Sequence, residues 1–487
     1  MPGSGKKTIK SILKVSISNI IKLLAGVLVG FLLPKIIGVD DYGYYKTFAL
    51  YITYVGIFHF GIVDGIYLKF GGDDYKELDA PKFRLYTRVL ILMEIILSLI
   101  GVLVSVLALS GNTRFIFASV SVFILAYNVV NYYQVISQIT RRFSELSVIN
   151  IIQSVLTVIG MVGIWLIYHF EWAEVNYKYY TLIYVGIQLL LCFIYVFIYR
   201  NITFGKANKI ADEKMELGRL IISGIPLLIA NLCLILILNI DRQFVNVLFD
   251  NEVYAKYAFA YTLISLISTA TTAIATVLYP TMKRMELEKL KSSFDKFTEI
   301  ILIFVFACLM IYFPLRIFIN WFLPKYSDSL DYFRILLPGI AVSALITIVI
   351  QNYYKVMNKN FSFFIVSIIT LILAFTSNLV CYLIFKNTYS ISIASIAVMV
   401  TWYFILVIYL RRVFEFKFIF NTIYMLVSTA AFYGLSFIGN DWLGLGLHIL
   451  AFILITGAFY FKDFLNLIRR NKKNNLNLNM EVTPVED

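Results

Sequence analysis

Fourteen times along 487 residues, an apolar run long enough to cross a bilayer is followed by a short polar break. A membrane-spanning helix needs about 20 mostly apolar residues. By that measure the spans cover 12–33, 47–68, 86–109, 115–138, 146–168, 179–199 and 220–246. They continue at 257–279, 297–322, 333–354, 361–385, 391–410, 418–438 and 443–461. A chain with so many spans has one fold class open to it. Helices close their backbone hydrogen bonds within each segment, so the expectation is an all-α polytopic membrane protein with about 14 transmembrane helices.

Composition agrees. The chain is 60% hydrophobic and only 15% charged, with a mean hydropathy of +0.82. An ordinary soluble domain is about a quarter charged. Soluble enzymes, secreted disulfide scaffolds and disordered proteins are therefore excluded. Cys192, Cys233, Cys308 and Cys381 lie far apart within apolar runs and form no CxxC pair. They read as small core hydrophobes rather than as metal ligands. His59, His169 and His448 are equally scattered.

The net charge of +13 fits either nucleic acid or the positive-inside rule, and the placement of the charges decides. With a cytoplasmic N-terminus, 31 of the 42 Lys and Arg residues fall in inside segments and eight at outside loops or helix edges. Only Lys22, Arg242 and Arg316 fall well within spans. This bias predicts that both termini face the cytoplasm and that nucleic acid is not a partner. No small-residue cleavage site follows the first span, which ends at Pro34-Lys35, so it reads as a retained helix.

Asp41-Tyr42-Gly43-Tyr44-Tyr45 follows the first span, and Val253-Tyr254-Ala255-Lys256-Tyr257 follows the seventh. Tyr42 and Tyr254, like Tyr45 and Tyr257, are 212 residues apart. The repeat predicts two pseudo-symmetric six-helix lobes, 1–200 and 220–412, in parallel orientation. A cytoplasmic linker, 201–219, would join them. Two extra transmembrane helices, 413–465, would follow, then a disordered cytoplasmic tail, 466–487, that is rich in Asn and Lys. Between the eighth and ninth spans, Met285, Leu287, Leu290, Phe294 and Phe297 form an apolar stripe among charges, suited to a helix on the inner membrane surface.

Ionisable groups inside spans are costly and mark interior faces or wet cavities. Lys22 shares a stripe with Gly26 and Gly30, which suits either an approaching anion or close helix packing. Asp241-Arg242 sit in the outer part of the seventh span, on or beside a polar face with Asn239, Gln243 and Asn246. Either could serve transport or a salt bridge to another helix. Asp64 and Glu94 read as proton or sodium sites, or as structural partners of Lys69 and Arg88; Asp241 belongs with them as an ion-coupling or structural acid. Arg316 reads as snorkelling outward. Asn128, Asn131, Gln134 and Gln138 are spaced as one helical face that either glues helices or lines a cavity for sugar hydroxyls. Pro226, Pro314 and Pro338 are candidate kinks. No GxxxxGK[ST], HExxH, GxSxG or Rossmann glycine run is present.

Four phrases carry a family resemblance. They are Leu32-Leu33-Pro34-Lys35-Ile36-Ile37-Gly38-Val39-Asp40-Asp41-Tyr42-Gly43-Tyr44-Tyr45 and Phe60-Gly61-Ile62-Val63-Asp64-Gly65-Ile66-Tyr67. The others are Gly224-Ile225-Pro226-Leu227-Leu228-Ile229-Ala230-Asn231, followed by Asp241-Arg242, and Tyr254-Ala255-Lys256-Tyr257-Ala258-Phe259-Ala260-Tyr261. With the layout of six, six and two helices, the chain resembles the polysaccharide repeat-unit flippases of the multidrug/oligosaccharidyl-lipid/polysaccharide exporter superfamily. The resemblance implies a non-enzymatic transporter of the bacterial cytoplasmic membrane. Its substrate would be an undecaprenyl-pyrophosphate-linked oligosaccharide, moved to the outer leaflet by alternating access. Lys22 and Arg242 would be the cavity cations for the pyrophosphate. No cofactor is implied beyond Na+ or H+ as coupling ion, and glycosyltransferases and a polymerase of the same pathway would be partners. The alternatives are a multidrug or small-molecule exporter of the same superfamily and, further off, a membrane glycosyltransferase or polymerase. The last rests on Asp40-Asp41, which is similar to an acidic motif of such enzymes, and lacks their large outer loop.

Overall fold

The computed structural model describes the backbone of residues 3–283, 285–357, 359–411 and 418–480. Side chains are described for 17–268, 282 and 285–460, apart from 287, 358, 360 and 412–418. Among these residues there is helix and no strand. The first half is built from α1 (Gly3–Ile36), α2 (Val39–Tyr51), α3 (Ile62–Phe70), α4 (Ala80–Ala108), α5 (Gly111–Ile139), α6 (Phe143–His169), α7 (Tyr177–Ile198) and the short α8 (Arg200–Thr203). Then come α9 (Ile210–Ile237), α10 (Ile240–Leu248), α11 (Asn251–Lys283), α12 (Leu287–Cys308), α13 (Tyr312–Phe322) and α14 (Ser329–Leu336). The chain ends with α15 (Gly339–Ala344), α16 (Gln351–Val356), α17 (Asn360–Phe385), α18 (Thr388–Arg411), α19 (Phe418–Ser436) and α20 (Asp441–Met480). Twelve described helices are long and apolar enough to cross a membrane, and the bent pair Val39–His59 plus Ile62–Phe70 makes a thirteenth. The 33-residue α11 completes the expected set of about fourteen. The fold is an all-α polytopic membrane protein.

The sequence suggests continuous second and seventh spans, and both are broken. In the second, α2 passes into a 3-10 segment, Ile52–His59, and stops at Phe60 (φ 47) and Gly61 (φ 84), where the chain bends by 62°. Gly61 takes the left-handed conformation at no steric cost. In the seventh, α9 ends at Ile237 and α10 restarts after Asn239. Pro226 lies inside the unbroken α9, so the break is not at the proline. Pro314 sits in the first turn of α13 after a short 3-10 turn, and Pro338 precedes α15.

Membrane helices invert the usual amphipathic pattern, and α4 shows it. Leu92, Ile95, Ile96, Leu99 and Leu103 are exposed, as a lipid-facing stripe should be. The opposite face buries Thr87, Leu90, Glu94, Ser98 and Ser105. Gly101 on that face sits over the Ser121 side chain of α5, where a Cβ would collide. Small residues thus let α4 and α5 close on each other.

The broken second span touches the second half of the chain on both sides of its bend. Before the bend, α2 packs on α11. Tyr42 Oη lies 3.0 Å from Thr262 Oγ1, and Tyr254 Oη donates to the Lys46 carbonyl at 3.0 Å, so the repeated tyrosines reach across to each other's helices. A Cβ on Gly43 would lie 2.6 Å from the Asn251 carbonyl oxygen. Asn251, Asn246 and Gln243 donate to Asp40, Thr47 and Tyr51 respectively. Asp40-Asp41 therefore open a helix in this seam, where their charge suits the N-terminal dipole. After the bend, α3 packs on α9. There Gly61 and Gly65 meet Leu220, Gly224 and Ile225 backbone to backbone.

Three further expectations are corrected. The stripe at Leu290 and Phe294 is buried and belongs to the first turns of α12, so this segment packs on protein instead of lying on the membrane. Helix α20 runs on to Met480, so the tail after Arg470 is helical as far as the description goes; 481–487 lie outside it. Arg316 does not snorkel. It pairs with Asp441 and donates to the carbonyls of Ser436 (3.0 Å) and Ile438 (2.6 Å), pinning the α19–α20 corner to α13. Arg316→Leu strands a half-buried carboxylate and two carbonyls. Its expected cost is about 2 kcal/mol, read as a lower melting temperature of the purified protein.

Candidate functional site

Helix α10 starts in the seam between the two halves of the chain, and its first turn carries Asp241 and Arg242. Asp241 is 1% exposed. Its carboxylate accepts from Tyr257 Oη at 2.7 Å, from Tyr261 Oη, and from the Arg242 backbone N–H at 2.8 Å. These donors, two of them on α11, satisfy the acid, and it is in no salt bridge among the described residues.

Arg242 lies in the field of the neighbouring Asp241 but makes no salt bridge among the described residues. Its guanidinium lies 4.4 Å from the centroid of the Tyr261 ring, and its buried Nε has no hydrogen-bond partner. No carboxylate pairs with it within 4 Å among the described residues. A cation backed by an aromatic face keeps its charge available for an anion.

The structure adds a residue that the sequence reading passed over. Lys46 counts there as a helix edge, yet it lies within α2, half-buried, over the rings of Tyr42 (5.1 Å) and Tyr45 (5.5 Å). It too has no carboxylate partner among the described residues, and it lies in the field of Arg242. Two basic side chains in no salt bridge thus share one tyrosine-rich seam. The available signal was Lys46 beside the repeated Tyr42 and Tyr45, at a position that the continuous-helix reading placed outside the membrane.

Lys22 is on α1, exposed, and in no ion pair among the described residues. No contact joins it to Arg242. Gly30 is where α1 meets α11, since a Cβ there would touch Thr262 at 3.0 Å. Lys22 lies eight residues inward of that crossing, or about 12 Å along the helix. A Cβ on Gly26, between them, would meet nothing within 4 Å. Gly26 and Lys22 therefore border open space, whereas Gly30 is a packing contact.

The other candidates are dispersed. Asp64 lies 3.7 Å from His59 Nε2, whose Nδ1 accepts from Gly61 N–H. The expected partners are engaged elsewhere: Lys69 pairs with Glu216, and Arg88 donates to the Gly205 carbonyl. Lys82 also reaches Glu216 at 2.6 Å, tying the inner ends of α4 and α9. Glu94 is bonded to Asn128, whose amide donates to Glu94 Oε2 at 3.0 Å and to the Val55 carbonyl at 3.1 Å. That amide is committed to the protein interior and is not available to a glycan. Asn131 and Gln134 are half-buried and Gln138 is exposed, so the four amides do not share one environment.

No curated protein matches the chain. Among solved structures it is similar to one described as lipid II flippase MurJ in an inward closed conformation. The TM-score is 0.69 at 13% identity, over 94% of this chain and 100% of that one. It is also similar to an inward-facing multidrug resistance MATE family transporter of the MOP superfamily, with a TM-score of 0.60 at 13% identity, over 82% of this chain and 97% of that one. A third is a MOP superfamily transporter from Pyrococcus furiosus, described for the reverse polarity of its binding pocket. Its TM-score is 0.53 at 12% identity, over 82% of this chain and 95% of that one. At these identities the likeness is one of fold. The family model described as polysaccharide biosynthesis protein matches residues 8–286, more than half of the sequence, and the chain belongs to that family.

Proposed function

We propose that this protein is a flippase that carries an undecaprenyl-pyrophosphate-linked oligosaccharide from the inner to the outer leaflet of a bacterial cytoplasmic membrane. The observation that carries the reading is the seam between α2, α10 and α11, where Lys46 and Arg242 stand among tyrosines in no salt bridge with a described residue. A pyrophosphate moved through a bilayer needs fixed cations to replace its hydration, and charge-assisted hydrogen bonds supply that. Tyrosine faces suit the apolar faces of sugar rings. Lys22, about 12 Å along α1 from the Gly30 crossing, is a first contact for the same headgroup. The lipid tail stays in the bilayer.

Membership of the polysaccharide biosynthesis family supports this reading. So does the second span, which meets the other half of the chain by polar contacts outside and by bare backbone inside. Such contacts suit two six-helix lobes that rock about the seam, with 413–465 as additions. The basic inside loops support cytoplasmic termini. The protein acts without chemistry of its own, beside the glycosyltransferases and polymerase that make and use the oligosaccharide.

A multidrug exporter is the second reading, favoured by the fold likeness to a MATE family transporter. A cationic drug needs an available acid in the seam, and Asp241 is already satisfied by two tyrosines. Reconstituted vesicles with fluorescent oligosaccharide-pyrophosphate lipid test the two. Label should reach the opposite leaflet without ATP, and Lys22→Ala should slow it by about tenfold, the worth of one charge-assisted contact. Drug efflux without lipid flipping would overturn the flippase reading.

A further inference from the structure

Glu94 is an acid that the substrate seam does not use. It lies midway along α4 and is 0% exposed, as is its partner Asn128. The Asn128 amide nitrogen must face both Glu94 Oε2 and the Val55 carbonyl, which fixes the orientation of the amide. Two buried acceptors then have no donor: Glu94 Oε1 and Asn128 Oδ1. A carboxylate at mid-membrane with one neutral donor is poorly stabilised, and a proton supplies the donor that the site lacks. A metal ion such as sodium needs several oxygens, and the nearby Val55 carbonyl is already taken by the amide.

No charged group competes. From the 3-10 segment, His59 is turned to Asp64 and to the Gly61 N–H, and Tyr54 is neutral. From α5, Tyr127 is adjacent to Asn128, and Tyr132 is bonded to Thr87. Arg200 of α8 and Glu213 and Glu216 of α9 belong to the inner ends of their helices, and the glutamates pair with Lys82 there. The membrane part of α9, 220–237, has no charged residue.

Val55 belongs to the 3-10 segment above the 62° bend, and below the bend α3 rests on α9. We propose that Glu94 is a proton-binding site whose occupancy, relayed by Asn128 to Val55, sets the bend of the second span and so the inner contact of α3 with α9. With the proton bound, Asn128 shares its two N–H groups between Glu94 and Val55, as seen here. When the proton leaves to water, the charged carboxylate draws the Asn128 amide toward itself. The Val55 carbonyl is released, the bend relaxes and α3 leaves α9. Only one O–H bond breaks or forms. As the coupling step of transport this rests on the flippase reading; as a proton site it does not, and its test needs no substrate.

The test uses the full chain in nanodiscs. Infrared titration should show one protonated-carboxyl band that disappears as pH rises and is missing in Glu94→Gln. Spin labels at Asp73→Cys and Lys209→Cys, both exposed positions flanking the inner contact, report its separation in a background without the native cysteines. In the parent the distance should lengthen through the midpoint of the band. Glu94→Gln, a mimic of the protonated acid, should hold the short distance at every pH. Asn128→Leu should keep the band and lose the distance change; Glu94→Asp should keep the band with a shifted midpoint. A full pH response in Glu94→Gln, or no titrating band in the parent and in Glu94→Asp, overturns the proton site. A distance that follows sodium at fixed pH overturns the choice of ion, and a full distance change in Asn128→Leu overturns the relay.

Discussion

Replacing Lys46 and Arg242 together by glutamine is expected to slow lipid-linked oligosaccharide flipping by about 100-fold or more. Each basic side chain, in no salt bridge with a described residue, would give a pyrophosphate a charge-assisted contact worth about 1.5–3 kcal/mol. The lower figure is appropriate because both side chains are half-buried and the seam must admit water. Two such contacts then sum to about 3 kcal/mol, which is about 100-fold at 1.4 kcal/mol per tenfold. The double variant should still insert and fold, since neither side chain holds a salt bridge that its loss would break. Asp241 keeps its two tyrosine donors and the backbone donor in that variant. The measurement is the initial flipping rate in vesicles at matched protein levels. Conservative Lys46→Arg and Arg242→Lys variants should retain most of the activity. A double glutamine variant that flips at the parental rate would remove the seam from the transport path.

Much of the fold was legible because the bilayer imposes its own ruler. Fourteen apolar runs separated by short polar breaks leave few options, and the observed helices follow them closely. What the sequence concealed were events inside spans. Hydropathy does not distinguish a straight 22-residue helix from α2, a 3-10 segment and α3 joined at Gly61, because the residues are equally apolar. The site was half legible for the same reason. Arg242 and Lys22 stood out as charges within apolar runs. Lys46 did not, since α2 begins earlier than its hydropathy suggests and the lysine seemed to lie outside. Asp241 was visible as a buried acid, but its donors lie on α11, 16 and 20 residues further along, in a helix that only the tertiary fold brings back. Glu94 and Asn128, 34 residues apart, were separate candidates that packing joined into one.

The two faces of the seam are held by different forces, and this sets how each should respond to mutation. The contact of α2 with α10 and α11 is a set of hydrogen bonds from Asn251, Asn246, Gln243 and Tyr254, neutral except where Asn251 reaches the Asp40 carboxylate, each worth about 1 kcal/mol net and replaceable by water. The inner contact is backbone against backbone, with ion pairs only at its rim. Those pairs are partly exposed, so Lys69–Glu216 and Lys82–Glu216 add at most about 1 kcal/mol each. Closure inside therefore depends on the absence of side chains.

Gly224→Val should accordingly abolish cycling, with flipping reduced by at least about 100-fold in a protein that still inserts. A Cβ on Gly224 would overlap the Gly61 carbonyl oxygen, and one on Gly65 would overlap that of Leu220. Neither neighbour is a flexible side chain that can move aside. Helices α3 and α9 would have to separate, so the inner face could not close, and overpacking of this kind costs about 1–3 kcal/mol or more. If closure has only a few kcal/mol of driving force, that penalty is enough to hold the inner face open. Cysteine labelling at Leu217→Cys, a buried position on α9, should rise from the cytoplasmic side in the Gly224→Val protein. Gly26→Ala is the control, because a Cβ there meets nothing within 4 Å, and it should leave the flipping rate unchanged. Parental flipping in Gly224→Val, with the inner face labelled no faster than in the parent, would show that α3 and α9 do not need this contact.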